Sequence, residues 1–325
     1  MNSRLPRLLL FFLAAIFSAF PLPARAVGIW HRDYASGLAE AKAEGKKLLV
    51  VFTGTDWIEI CEKFYDEILG DPAFIEAVSG KFALVKLEFP QNNQLPRGEA
   101  AERAVLREAY RVRGFPTVIL ADAEGRPFGI NGYQPVTAVD YAGQILAIEA
   151  AQAEGLSVAS KAGELDGMER AKALSRAIPD LPGGLLSRFY RPEMEAVLAA
   201  DPEDTLKLGA LFRGLLADAE FNRQLQLLAK DAKWEEMIAL TDRHIEEQKL
   251  TEASLQGALL NRAGFEQRAG KAQTALETLR RVVSLDPESD PGLEAARILE
   301  AASVPSSGVT SERPTSPVPR AMPVE

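Results

Sequence analysis

Cysteine is nearly absent. The 325 residues hold one, Cys61, which excludes an internal disulfide and a dithiol pair within the chain. Histidine is almost as scarce, with His31 and His244 far apart in sequence. With no Cys or His cluster there is no zinc site, no metal ligand is assigned, and nothing calls for a cofactor. Both histidines are expected at the surface or capping a helix. A basic stretch is also missing. Asp and Glu number 46 against 37 Lys and Arg, for a formal charge of −9. A chain so acidic, without a basic cluster, is a poor nucleic-acid binder.

The apolar run at residues 8–20 is too short to span a bilayer. Arg4 and Arg7 precede it, and Ala24 and Ala26 supply the small residues of a cleavage site before Val27. Residues 1–26 therefore read as a signal peptide, with an uncleaved anchor as the rival reading, and the mature chain is expected to be exported, to the periplasm, with no stable membrane anchor after cleavage. No cysteine follows the run to carry a lipid. Cleavage removes Arg4, Arg7 and Arg25 and no acid, taking three positive charges and moving −9 to −12. An exported chain meets an oxidising medium, where a lone thiol either is buried or pairs with another molecule.

What is present fits roughly two domains of ordinary globular composition. From Asp33 to Ala153 the hydrophobic pattern predicts the order α-β-α-β-α-β-β-α. The first helix runs to Glu44 and ends at Gly45, where a left-handed residue is wanted. "LLVVF" at residues 48–52 reads as a strand buried on both faces. A helix follows with Ile58, Cys61, Phe64, Tyr65 and Ile68 on one stripe, and Thr55 or Asp56 is expected to cap it. Asp71 caps a short helix with Pro72 at its first position. "FALVKLEF" and "TVILAD" read as strands, and turn chemistry at residues 123–126 leads to a short strand near residues 128–130. Alternation gives parallel pairing, and the late tight turn gives an antiparallel hairpin. Beyond Leu156 the signal is almost wholly helical. Residues 256–289, with Ala263, Gly270, Ala275, Leu279 and Pro287, resemble one tetratricopeptide repeat, and a helical-hairpin bundle fits equally. Residues 303–325 are rich in Pro, Ser and Thr and are expected to be disordered.

A helix start after a buried strand is where a thiolate is best stabilised. The position that gains from this is 58, and it holds Ile58. Cys61 lies one turn deeper. The order of elements, the stretch Gly54-Thr55-Asp56-Trp57-Ile58-Glu59-Ile60-Cys61 and the later "GFPTVILADAEGRPFGINGY" resemble the thioredoxin superfamily, in particular exported thioredoxin-like proteins with G-S-D-W-C-x-x-C. The resemblance covers about residues 30–154. It implies an α/β thioredoxin-like domain at residues 27–154, a central mixed sheet flanked by helices, and the helical signal beyond it reads as an all-α domain at residues 155–302. It also implies that the attacking cysteine is replaced by Ile58 and that Cys61 is the resolving-type position, the sole catalytic candidate. Pro116 corresponds to the family's cis-proline, with Phe115 before it exposing main chain to an extended substrate. Trp57 corresponds to the aromatic beside the site, and Phe52 to a buried acid that serves the resolving thiol.

Dithiol exchange needs one thiol to attack and a second to release the mixed disulfide, and one cysteine cannot do both. The expected function is therefore a polypeptide-binding or partner-assembly protein, with Trp57, Phe115 and Pro116 on the binding surface. The alternative is a monothiol oxidoreductase or redox sensor acting through Cys61. Cys61 itself reads either as a small buried hydrophobe or as a reachable thiol. The helical half is either a packed bundle or a concave protein-binding surface.

Overall fold

The structure is a computed structural model and describes residues 30–303. The expected signal peptide at residues 1–26 and, but for Ser303, the tail at residues 303–325 lie outside the described residues. The apolar run of the first strand becomes β1 (Lys47–Thr53). With β2 (Phe82–Glu88), β3 (Thr117–Ala121) and β4 (Pro127–Asn131) it forms a sheet of order β2-β1-β3-β4. β1 and β2 are parallel, pairing Val50 with Val85 and Phe52 with Leu87. β1 and β3 are antiparallel, pairing Val50 with Ile119 and Phe52 with Thr117. β3 and β4 form the antiparallel hairpin.

Successive side chains on a strand face opposite ways, and in β1 both faces are covered. Leu49 and Val51 enter one cluster with Phe64, Ile68, Phe74 and Tyr141. Leu48, Val50 and Phe52 enter the other with Tyr110, Val112 and Ile119. Double burial is why the run lacks polar alternation. Each of these side chains contributes roughly 1.5–3 kcal/mol by leaving water.

The helices on this sheet are α1 (Tyr34–Glu44), α2 (Glu59–Phe64), α3 (Pro72–Ser79), α4 (Arg97–Ala109) and α5 (Ala138–Ala159). Their ends follow local chemistry. Asp33 Oδ1 accepts from Ser36 N at 2.7 Å, and Gly45 closes α1 at φ 64°. Asp71 Oδ1 accepts from Ala73 N at 2.7 Å, just ahead of Pro72. α5 outlasts its expected length. Tyr141, Ala142 and Ile145 pack under the sheet, whereas Gln152 Nε2 donates to Ala177 O at 3.4 Å near its far end. Gly155 faces Arg176 O so closely that a Cβ there would lie 2.0 Å from it. The domain boundary expected after residue 154 falls inside this helix.

After Asn131 the described residues contain no strand. α6 (Gly167–Ser175), α7 (Gly183–Phe189), α8 (Arg191–Ala200), α9 (Gly209–Lys230), α10 (Trp234–Gln248), α11 (Glu252–Arg268), α12 (Ala272–Leu285) and α13 (Asp290–Ser303) follow. α11 and α12 turn at Gly270 (φ 80°). They pack Leu259, Ala263, Leu279 and Val282 against Ala295 of α13. Gln256 Nε2 ties the pair by donating to Val282 O at 2.8 Å and Asp286 O at 2.7 Å. None of the described helices is long and apolar enough to cross a membrane.

Contacts join the two regions. Tyr190 Oη donates to Pro127 O at 2.8 Å. The Arg126 guanidinium lies 3.7 Å above the Tyr190 ring and 2.6 Å from Glu193 Oε1. Phe189 stacks on Tyr110 with centroids 6.1 Å apart. One expectation fails here. His244 does not lie at the surface: it is buried in α10, stacked on Phe221 at 4.0 Å, with Nε2 3.0 Å from Asp218 Oδ1. The helical packing supplies both partners, and neither is near it in sequence. His31 is half-buried and pairs with Glu40 Oε2 at 2.5 Å.

Candidate functional site at the start of helix α2

β1 delivers the chain to a short loop at residues 54–57, and Ile58 stands at the N-cap of α2 with no side-chain hydrogen bond to the helix. The caps expected from Thr55 and Asp56 are absent because both residues are held elsewhere. Thr55 Oγ1 donates to Glu88 Oε1 at 2.7 Å. The Asp56 carboxylate accepts from Gln91 N at 3.2 Å and Asn92 N at 2.9 Å. Acids that cap a helix and acids that cross-link two loops look alike in sequence. Here the end of β2 and the loop after it take both residues.

Cys61 N donates to Ile58 O at 2.9 Å, which sets the thiol one turn inside the helix. Cys61 is 1% exposed and has no disulfide partner. Phe64 and Ile68 share its buried stripe, as the spacing predicts. Beyond Phe64 the helix widens into a π turn over Tyr65–Leu69, which keeps Ile68 and Leu69 both inside. Ile58 is half-buried. The position nearest the surface thus carries a hydrocarbon, and the thiol lies beneath it.

Trp57 is 42% exposed. Its ring lies over Gly54, where a Cβ would come within 2.5 Å of Nε1. Nε1 donates to Phe89 O at 2.8 Å. The ring meets Phe115 edge-on at 6.3 Å. Phe115 stacks on Phe89 at 4.9 Å, and Phe89 on Phe52 at 6.0 Å. Phe52 itself is fully buried, so an aromatic wall fills the place where the resemblance has an acid. Phe89 was not identified from the sequence. Its signal is an aromatic at the last position of "FALVKLEF", one step beyond the final paired residue Glu88, with a polar loop to follow.

The Phe115–Pro116 peptide bond is cis. Both residues are half-buried. Thr117 Oγ1 donates to Gly114 O at 2.8 Å, closing the turn that presents them. The main-chain N–H and C=O of Phe115 have no hydrogen-bond partner among the described residues. Trp57, Phe115 and Pro116 therefore form one surface beside Ile58, and Cys61 is not part of it. Among the described residues no group of three or more His, Cys, Asp or Glu side chains is placed to hold a metal ion.

The family model described as a thioredoxin-like domain matches residues 34–143. The chain is 30% identical over 123 residues to the disulfide bond reductase DsbH of Chlamydia pneumoniae, covering 38% of this chain and 74% of DsbH. It is 27% identical over 270 residues to the thioredoxin-related protein DsbJ of the same organism, covering 77% of this chain and 70% of DsbJ. A solved structure of a DsbH oxidoreductase shares 29% identity and covers 39% of this chain and 88% of its own, with a TM-score of 0.36. The order of strands, the helix opening after β1 and the match over residues 34–143 agree, and the chain belongs to the thioredoxin superfamily through its thioredoxin-like domain.

Proposed function

We propose that this chain is an exported thioredoxin-fold protein that binds extended polypeptide at the Trp57–Phe115–Pro116 surface and performs no dithiol exchange. The observation that carries the reading is the composition of that surface. An exposed indole and an unpaired main-chain N–H and C=O at Phe115 flank a position that holds Ile58. A main chain with free donor and acceptor can take up a strand of a partner, and the aromatic wall can take its apolar side chains. Ile58 offers such a partner contact without covalent chemistry. Export is part of this reading and rests on residues 1–26.

A second reading is favoured by one finding, the name disulfide bond reductase borne by DsbH. In it, Cys61 acts as a single thiol that forms a mixed disulfide with a partner. That step needs the sulfur to reach a substrate, and 1% exposure argues against it.

Two measurements separate the readings. The indole fluorescence of Trp57 should change on titration with an extended apolar peptide, and Trp57→Ala should weaken binding by roughly tenfold or more. The native protein should react with a thiol reagent at least about a hundredfold more slowly than the unfolded chain, since the sulfur is reached only by local opening. Rapid native labelling that is lost in Cys61→Ser, together with measurable insulin reduction, would overturn the proposal in favour of monothiol chemistry.

A further inference from the structure

The sequence shows no run of basic residues, yet the fold gathers four arginines beside the Phe115 surface. Arg107, on the last turn of α4, holds its guanidinium 5.1 Å above the Phe115 ring, with Nε donating to Val112 O at 3.1 Å. Arg111, one turn further, lies against α7: a Cβ on Gly184 would be 2.6 Å from its Nε. Arg113 is exposed two residues before Phe115. Arg188 is exposed on α7, one turn after Gly184, with its guanidinium 5.6 Å above the ring of Phe189. The stacking of Phe189 on Tyr110 brings that end of α7 to the end of α4.

Arg103 on the same helix pairs with Glu99, and Arg126 with Glu193. Arg111, Arg113 and Arg188 are exposed, and Glu108, between Arg107 and Arg111 in sequence, has a partner of its own. Asp218 lines the same cleft as Arg111, and its Oδ1 lies 3.0 Å from His244 Nε2. In a chain of charge −9, guanidinium groups gathered along one edge are a local reversal of sign. Charge beside a binding surface favours partners of the opposite sign and disfavours its own.

We infer that the polypeptide bound at Phe115–Pro116 carries acidic residues on the side that runs toward α7, so the site selects acidic extended segments. This rests on the reading that Phe115–Pro116 binds polypeptide. It gives that surface a direction: apolar side chains meet Trp57 and Phe115, and carboxylates meet Arg111, Arg113 and Arg188. Arginine suits the task because its planar fork binds a carboxylate bidentately and stays charged.

The test uses the full chain and two labelled extended peptides with the same apolar core, one flanked by glutamates and the other by lysines. At low salt the glutamate peptide should bind about tenfold more tightly, since exposed pairs contribute modestly one by one. The preference should shrink as salt rises. Arg111→Glu with Arg113→Glu and Arg188→Glu should reverse it. Should the Arg111 change disturb the α4–α7 contact, Arg113→Glu with Arg188→Glu, both at exposed positions, should still reduce it. Equal binding of the two peptides, or a preference that survives these variants, overturns the inference and leaves polypeptide binding standing. Binding of neither peptide overturns both. Arginine-dependent binding to phosphatidylglycerol vesicles, without a glutamate preference, would overturn it and assign the strip to a lipid surface instead.

Discussion

Replacing Ile58 by cysteine probes the site most directly. Ile58 is the extended residue, at φ −122° and ψ 105°, from which α2 starts, and its carbonyl accepts from Cys61 N at 2.9 Å. A thiol introduced there would therefore stand across one turn from Cys61, above it. Loss of the half-buried isoleucine should cost about 1 kcal/mol in the reduced form. Closing the short ring between positions 58 and 61 should return about 2 kcal/mol by restricting the unfolded chain. Oxidised and reduced Ile58→Cys should then differ in Tm by about 4 °C in a chain of this size. The wild type, with one thiol, should show no dependence on reductant. Intact mass after mild oxidation, with a count of free thiols, reads pairing directly, and thermal unfolding with and without dithiothreitol reads its effect. A monomer that keeps two free thiols under oxidant, or a variant that dimerises through the introduced thiol alone, would show that α2 does not begin at this residue. The description of Cys61 as the deeper partner would fall with it.

Two further predictions concern buried polar groups elsewhere in the fold. Glu266 is 1% exposed and accepts from Arg262 Nη1 at 2.5 Å and Thr278 Oγ1 at 2.7 Å, so Glu266→Ala should destabilise the chain by roughly 3 kcal/mol in urea unfolding; a loss below about 1 kcal/mol would mean that Asp242, which accepts from Arg262 Nε at 2.7 Å, alone satisfies Arg262. Burial raises the phenols of Tyr34 and Tyr110 above their ordinary 10.0. The unfolded chain ionises at that value while the folded chain stays neutral. Their contribution is thus complete below pH 10 and is lost as pH rises beyond it. Tyrosinate absorbance from Tyr34 and Tyr110, isolated by Tyr→Phe variants, should appear only with unfolding, and its appearance in the intact fold would refute the burial argument.

Much of this arrangement is legible in residues 30–154, because the rules there are local. An unbroken "LLVVF" means burial on both faces. Gly45 and the Asp71-Pro72 pair mark helix ends. The stripe of Cys61, Phe64 and Ile68 predicts which way the thiol faces. The rest depends on contacts between residues far apart. Asp56 looks like a cap until the loop at Gln91 and Asn92 takes its carboxylate. Phe89 joins Trp57 to Phe52 only once β1 and β2 are paired. His244 looks solitary until α9 brings Asp218 and Phe221 to it, and Arg188 joins Arg107, Arg111 and Arg113 only when α7 docks on the end of α4. The antiparallel pairing of β1 with β3 is likewise set by chain topology and not by pattern.

Helix α5 has a consequence for how this protein can be divided. Its 22 residues extend about 33 Å. One end roofs the sheet through Tyr141 and Ile145, and the other forms the seat for the segment around Arg176 and Ala177. A single rigid beam built into two walls leaves no seam to cut. A fragment ending at residue 154 would strip the seat from α6 and leave a frayed stump over the sheet. A fragment beginning at residue 155 would start inside a helical turn. A cut beyond Ala159 would leave the helix whole but still part it from the segment it seats, and any variant that unwinds α5 should loosen the sheet and the helical region in the same transition.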